Sequence, residues 1–411
     1  MPHRSRIKWT LFATQSFGSA GFLISSTIAP ILGASLSGHP GWAGVPAAFD
    51  WGGGSGVAFV WGRLMERLGR RRTLMLGLTA GFVGAGIASA AVAAGLFWVF
   101  VAGLALLGGA NNAVQQSRFV AAEVHPRPER GRAIATVVLG GTVGGILGPL
   151  CVAPMSELAQ SIGTAGLSGP YWASVVFFAV GFVVVALGLR PEPRDLAMAL
   201  EAETTGAAGP AHPVRPVREV LADRLVLAAI VSMVLAQGLM STLMVISSLH
   251  MRDHAHSLGR ISVAFSTHVV GMFGLSMITG RLADRWGRGR LIAAGAVILV
   301  GAGLGAVGAI RFLPVTAVLF FLGLGWNCCF VGGSTLLSDR LTQLERAGIQ
   351  GFNDSLLAAA SATGSLLSGI AYGAVGYSFI GGLVAALAMI PLALGWRFRE
   401  RAGTSAASAA A

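Results

Sequence analysis

Apolar runs of about twenty residues follow one another along the chain, separated by short polar stretches rich in arginine, glycine and proline. A helix rising about 1.5 Å per residue needs a run of that length to cross the hydrocarbon core of a bilayer. The pattern predicts twelve spans, over 9–34, 44–65, 73–93, 96–123, 133–154, 170–189, 224–250, 260–282, 290–310, 313–338, 348–374 and 376–396. The polar, proline-rich stretch 190–219 has the composition of a flexible linker and divides the spans six and six. The expected organisation is therefore a six-helix bundle over 1–189, a cytoplasmic linker over 190–223 and a second six-helix bundle over 224–411. The first apolar run is too long for the roughly 7–15-residue core of a signal peptide and reads as a retained helix.

Composition agrees with this pattern. Of 411 residues, 54% are hydrophobic and only 11% charged, against roughly 25% charged in soluble domains. The formal charge of +12 is spread between apolar segments, which makes it a topology signal and excludes a nucleic-acid surface. With the N-terminus inside, the cytoplasmic segments hold Arg4, Arg6, Lys8, the 63–72 cluster, 127–132, the linker, 281–290, Arg340, Arg346 and the tail. The outside loops hold only Arg252, Arg260 and Arg311. The positive-inside rule then places both termini in the cytoplasm. Three cysteines, Cys151, Cys328 and Cys329, are too few for a disulfide framework.

The two halves repeat. "GRLMERLGRRR" at 62–72 matches "GRLADRWGRGR" at 280–290, an offset of 218 residues. Gln15, Ser19 and "ISS" at 24–26 recur as Gln237, Ser241 and "ISS" at 246–248, and Asn111 of span four aligns with Asn327 of span ten. Parallel six-helix halves are a transporter architecture. The doubled loop G-x-L-x-D/E-R-x-G-R-x-R resembles the signature loop of the major facilitator superfamily. That resemblance implies an all-α membrane fold of two pseudo-symmetric bundles, and a gating role for Gly62, Glu66, Arg67, Gly280, Asp284 and Arg285. Simple anchoring by the same charges is equally in keeping with the pattern. "GGTVGGILGP" at 140–149 is similar to a motif of the drug-antiporter branch, although glycine and proline also serve close helix packing. The arginine that branch carries early in span four is missing from "FVAGLALLGG".

Ionisable groups inside a membrane are costly, so each one is a functional candidate. Asp50, Arg118, His268 and Asp354 fall within spans. Asn111, Gln115 and Arg118 share one face of span four. Inter-helix hydrogen bonding or snorkelling competes with function for Arg118, and local capping or pairing for Asp354. Asp50 and His268 lie 218 residues apart, the offset of the signature loops, so they occupy equivalent places in the two halves. Such places suit coupling and cavity-lining groups, to which Asp50, Asn111, Gln115, Asn327 and Asp354 are assigned as candidates. For Asp50 a carried proton, a bound cation and a structural hydrogen bond all remain open.

Methionine and histidine are concentrated around spans seven and eight. Met233, Met240, Met244, Met251, Met272 and Met277 are half of the twelve methionines; His250, His254, His256 and His268 are half of the eight histidines. "MSTLM" and "HVVGM" each place two such side chains at i and i+4 on one helix face. If spans seven and eight pair as a hairpin turning near His256, Met244 lies opposite His268, and Met240 opposite Met272. Thioether and imidazole donors suit soft Cu(I), and imidazole serves either oxidation state of copper. Methionine also packs cores, so packing competes with ligation. His250, Met251, His254 and His256 would line the entry, or form a solvated turn. Met233, Cys328 and Cys329 are further transfer candidates, with a structural role open to both cysteines.

M-x-x-x-M followed by H-x-x-x-M, together with "GWNCCFVGGSTLL" and "ERAGIQGFNDSLL", resembles the CcoA-type copper importers, a branch that also contains riboflavin-linked transporters. The resemblance implies a copper ion as transported substrate and Met240, Met244, His268 and Met272 as its ligands. It also implies a bacterial inner-membrane location, supply of copper to cbb3-type oxidase assembly, and donor and acceptor proteins on either side. The expected protein is a monomer in the lipid bilayer, without enzymatic activity, prosthetic group or nucleic-acid partner. No phosphate-cradling G-x-x-x-x-G-K-[ST] loop occurs, so ATP is not the energy source. The alternative is an organic-solute transporter, of a flavin or a drug, in which the Met face is apolar lining.

Overall fold

A computed structural model describes residues 2–126, 129–204 and 217–398. The middle of the expected linker, Arg127 and the C-terminal tail lie outside the described residues, as does the side chain of Arg346. Eleven described helices are long and apolar enough to cross a membrane. Gly44–Leu68 is a further continuous helix of 25 residues at the place of expected span two.

By internal contacts the chain forms two compact units. The first comprises Met1–Ala211 with Ser257–Ser266; the second comprises His212–His256 with Thr267–Ala411. The first unit contains α1 (Pro2–Ser37), α2 (Gly44–Leu68), α3 (Arg70–Ala94), α4 (Phe97–Gln115), α5 (Ser117–Glu123), α6 (Arg130–Leu150), α7 (Val152–Ser161), α8 (Gly169–Gly188) and α9 (Pro193–Thr204). Expected spans four and five are each broken, at Gln116 and at Cys151. Pro149 precedes the second break and cannot supply the backbone N–H that a continuous helix needs.

Close helix packing in this unit depends on glycine. A Cβ on Gly144 of α6 would collide with the Ser16 carbonyl of α1, and one on Gly148 would lie 2.5 Å from the Ala20 carbonyl. The glycines of "GGTVGGILGP" therefore let two backbones touch, as small residues do between membrane helices.

The second unit contains α10 (Val217–Leu221), α11 (Arg224–Asp253), the C-terminal end of α12 (Leu258–Val269) from Thr267 on, a π turn over Val270–Gly274, α13 (Ser276–Trp286), α14 (Arg288–Ala306), α15 (Phe312–Arg340), α16 (Gln343–Val375) and α17 (Tyr377–Arg397). Here α15 is the hub, flanked by α11, by α14, and by the π turn with α13. Side chains such as Leu313 and Trp396 are largely exposed, as lipid-facing positions should be. Asp223 caps α11 through the Leu225 amide, and Thr342 with Glu345 forms a capping box on α16.

The repeat is visible in backbone conformation. Gly69 and Gly287 separate α2 from α3 and α13 from α14, with φ of +87° and +88°. Only glycine adopts such angles without strain, so this residue is required at both signature loops.

Candidate functional site

His268 is the penultimate residue of α12 and is 1% exposed. Its Nδ1 lies 2.7 Å from the Leu319 carbonyl of α15. A carbonyl only accepts, so Nδ1 carries the hydrogen and Nε2 is left as a bare lone pair. Nε2 is buried and has no partner. Gly323 makes this arrangement possible, because a Cβ there would come within 2.5 Å of the His268 carbonyl.

Two residues on, the helix widens into the π turn that contains Met272. Such turns break the regular ladder and occur frequently at functional sites. Asn327 Nδ2 donates to the Met272 carbonyl at 2.6 Å and to Ser276 Oγ at 3.0 Å, while its Oδ1 accepts from Thr279 Oγ1 at 2.7 Å. Asn327, expected to line a cavity, is thus fully engaged in holding the turn against α15.

Met240 and Met244 lie buried on α11, at 0% and 4% exposure, and Met272 is 9% exposed. The expected hairpin pairing of spans seven and eight is not the observed packing. α11 runs along α15, α16 and α17, whereas the π turn and α13 run along α15. The reason is the glycine-lined surface of span eight, where a Cβ on Gly271 would strike the Phe320 carbonyl; this face nests on α15 more closely than a side-chain-bearing helix allows. Below Met240, Gln237 accepts from Trp326 Nε1 and donates to Ser361 Oγ, both at 2.7 Å, so this turn of α11 is tied to α15 and α16.

The other soft-donor candidates separate. Met233 packs in the core beside Gly333, and Met277 is 79% exposed. Cys328 packs against Leu291 and Ala283, and Cys329 Sγ lies 3.5 Å from the Ile292 carbonyl. Both thiols therefore sit in the α14–α15 interface, a packing position. Met251 is fully buried. His250, His254 and His256 are held by backbone carbonyls: His250 Nε2 by Ala309, His254 Nδ1 by His250 and His256 Nε2 by Ile310, each at 2.8 Å. Because α11 continues to Asp253, His250 stands on a helix, not in a loop. Among the described residues, no three His, Cys, Asp or Glu side chains come together to hold a metal ion.

In the first unit Asp50 is 1% exposed. Ser26 Oγ donates to its Oδ2 at 3.1 Å, while Oδ1, the Ser25 hydroxyl and the Tyr171 hydroxyl are buried without partners. Asn111 and Gln115 are half-buried on α4; Arg118 of α5 stacks over Phe119 at 4.8 Å, and Asp354 is exposed on α16.

The signature loops hold ion pairs that the sequence reading missed. Arg70 makes a two-pronged pair with Glu123, at 2.9 and 3.0 Å, and donates to the Met65 carbonyl at 2.8 Å. Arg288 pairs with Asp339 at 2.9 Å and reaches the Ala283 carbonyl at 3.4 Å. The two arginines share the offset of 218, and the two acids share the 216 that relates Asn111 to Asn327; that recurrence was the available signal. Glu66, Arg67 and Arg285 are exposed, and Asp284 meets Arg288 only at 3.7 Å. Among the described residues, nothing beyond the neighbouring backbone of their own helices lies within 4 Å of a Cβ placed on Gly62 or Gly280.

The family model described as Major Facilitator Superfamily matches residues 46–252 and 229–411. The chain is 32% identical over 407 residues to the uncharacterized MFS-type transporter YdeG of Bacillus subtilis (strain 168), covering 96% of this chain and 94% of that one. It is 29% identical over 391 residues to the riboflavin transporter RfnT of Brucella anthropi, covering 93% and 94% respectively. A D-xylose-proton symporter has the same fold, with a TM-score of 0.71 at 14% identity over 96% of this chain and 98% of that one.

Proposed function

The chain belongs to the major facilitator superfamily, and from that premise we propose that it is a secondary-active importer of copper, working by alternating access in the inner membrane of a bacterium. It crosses the membrane as halves 1–189 and 224–411, with both termini in the cytoplasm. The observation that carries the copper reading is the bare, buried Nε2 of His268. Ligating imidazoles characteristically donate their other N–H to a carbonyl or carboxylate, and Leu319 supplies that carbonyl. The thioethers of Met240, Met244 and Met272, each buried on its own helix, are the proposed partners of that nitrogen in a soft, neutral donor set suited to Cu(I). Neutral ligands also permit release, and Asn327 fixes the backbone that presents Met272. The two arginine latches, Arg70–Glu123 and Arg288–Asp339, are the gating elements. A periplasmic donor and a cytoplasmic acceptor hand the ion on, toward cbb3-type oxidase assembly. The test is copper accumulation in cells lacking their own uptake: Met244→Leu and His268→Leu each abolish it, and unchanged accumulation in both overturns the assignment.

The likeness to a riboflavin transporter over most of the chain favours a second reading, import of a planar organic solute past an apolar Met face. Riboflavin uptake that is indifferent to substitution of Met240 would support that reading against copper.

A further inference from the structure

A second donor set lies at the end of α11 that leads into the 254–257 turn. His250 and His254 are i and i+4 on this helix, with ring centroids 4.3 Å apart and planes inclined at 54°. Each ring is fixed in one tautomer by a backbone carbonyl. His250 Nε2 donates to Ala309, and His254 Nδ1 donates to His250, so His250 Nδ1 and His254 Nε2 are bare acceptors. His250 is further immobilised by stacking on Tyr377 at 3.9 Å and 7°, and Tyr377 in turn bonds Ser247 at 2.9 Å. Both histidines line a pocket of about 410 Å³, with Tyr372, Tyr377 and Ser378. Tyr372 donates to Asp253 Oδ2 at 2.6 Å, which keeps a carboxylate beside the histidines.

We propose that this pocket binds a divalent transition-metal ion of the Cu(II) class through His250 Nδ1 and His254 Nε2, with water completing the coordination. The i, i+4 spacing on a helix brings two imidazoles onto one face. Carbonyl partners on the remote ring nitrogens hold the rings in place and raise their basicity. The donors are nitrogen without sulfur, and for nitrogen donors Cu(II) leads the divalent first-row series. The pocket leaves room for the water ligands that two protein donors require. The proposal uses none of Met240, Met244, His268 and Met272, so it stands or falls apart from the import reading.

The experiment is a Cu(II) titration of the full-length, tag-free protein in detergent, read by electron paramagnetic resonance. The expected result is one site with coupling to two nitrogens. His254→Gln, on an exposed residue, should reduce the coupling to one nitrogen and weaken binding by at least about tenfold, the lower end of what losing even an outer-shell partner costs. His250→Ala should do the same, and His256→Gln should change nothing. Met244→Leu with His268→Leu should leave this signal intact even if copper import fails. Two-nitrogen coupling that persists in His254→Gln, or binding lost in His256→Gln but kept in His254→Gln, overturns the proposal.

Discussion

Replacing Asn327 by Ala removes three bonds at once: two donated, to the Met272 carbonyl and Ser276, and one accepted from Thr279. The Met272 carbonyl lies in the π turn, where the helix ladder is irregular, and neither water nor lipid can replace the Asn327 donor there. A buried acceptor left unpaired costs about 1–3 kcal/mol. Side-chain bonds between membrane helices average about 0.6 kcal/mol each, with a maximum near ~1.7. Together these give a loss of roughly 2–4 kcal/mol for Asn327→Ala. Asn327→Asp should be no better, because a second oxygen then faces the Met272 carbonyl. Asn111→Ala, at a half-buried site on α4, should cost under about 1 kcal/mol. Thermal unfolding of the three variants in one detergent measures the order, and amide exchange over 270–276 localises the effect. If Asn327→Ala unfolds with wild type and Asn111→Ala, and exchange over 270–276 stays slow, Asn327 does not lock span eight.

Two further outcomes follow from the same geometry. Arg70→Ala and Arg288→Ala should slow initial-rate uptake more than Arg67→Ala and Arg285→Ala at equal membrane abundance, because only the former pair holds Glu123, Asp339 and a helix-end carbonyl. Their effect on stability should stay within about 1 kcal/mol, as these pairs are partly exposed. Asp50→Asn keeps an oxygen that accepts from Ser26 but holds no exchangeable carboxyl proton. It should spare substrate exchange and abolish the pH dependence of uphill accumulation; an unaltered pH profile refutes a coupling role for Asp50.

Much of this arrangement was legible in the residues. A run of twenty apolar side chains has few alternatives to a spanning helix, and the glycines that punctuate the signature loops are where backbones with φ near +87° must turn. The helices nonetheless overrun the apolar windows. Span seven, read as 224–250, continues to Asp253, because polar residues at a membrane interface satisfy a helix as well as apolar ones. The register of spans seven and eight failed for a different reason. It assumed that sequence neighbours lie side by side, whereas close approach through Gly271 and Gly323 puts α15 against span eight. Depth along a helix follows from counting residues; the direction a face points depends on which third helix is closest. The latch acids were missed because Glu123 and Asp339 lie far in sequence from the loops they secure.

The two positions joined by the 218 offset argue for function over packing. Asp50 and His268 are each buried in their own unit, and each has one heteroatom satisfied: Oδ2 by Ser26 and Nδ1 by Leu319. Each leaves its other heteroatom, Oδ1 or Nε2, without a partner. Unpaired buried polar atoms are few in native proteins, and each one calls for an explanation. Leucine at either position would remove the unpaired atom but would also take the acceptor from Ser26 or the donor from the Leu319 carbonyl. Among thirteen buried side-chain atoms without a partner in the described residues, these two stand at equivalent places in the two halves, which argues for a shared role. The chemistry of the two places differs, one an oxygen acid beside the Ser25 and Ser26 hydroxyls and the other an imidazole nitrogen in an apolar setting. A hard guest, a proton or small cation, suits the first, and a soft metal suits the second. An Asp50→Leu variant more heat-stable than wild type yet inactive in uptake would establish that the unpaired oxygen is kept for its guest, whereas one equally active would assign it to the fold alone.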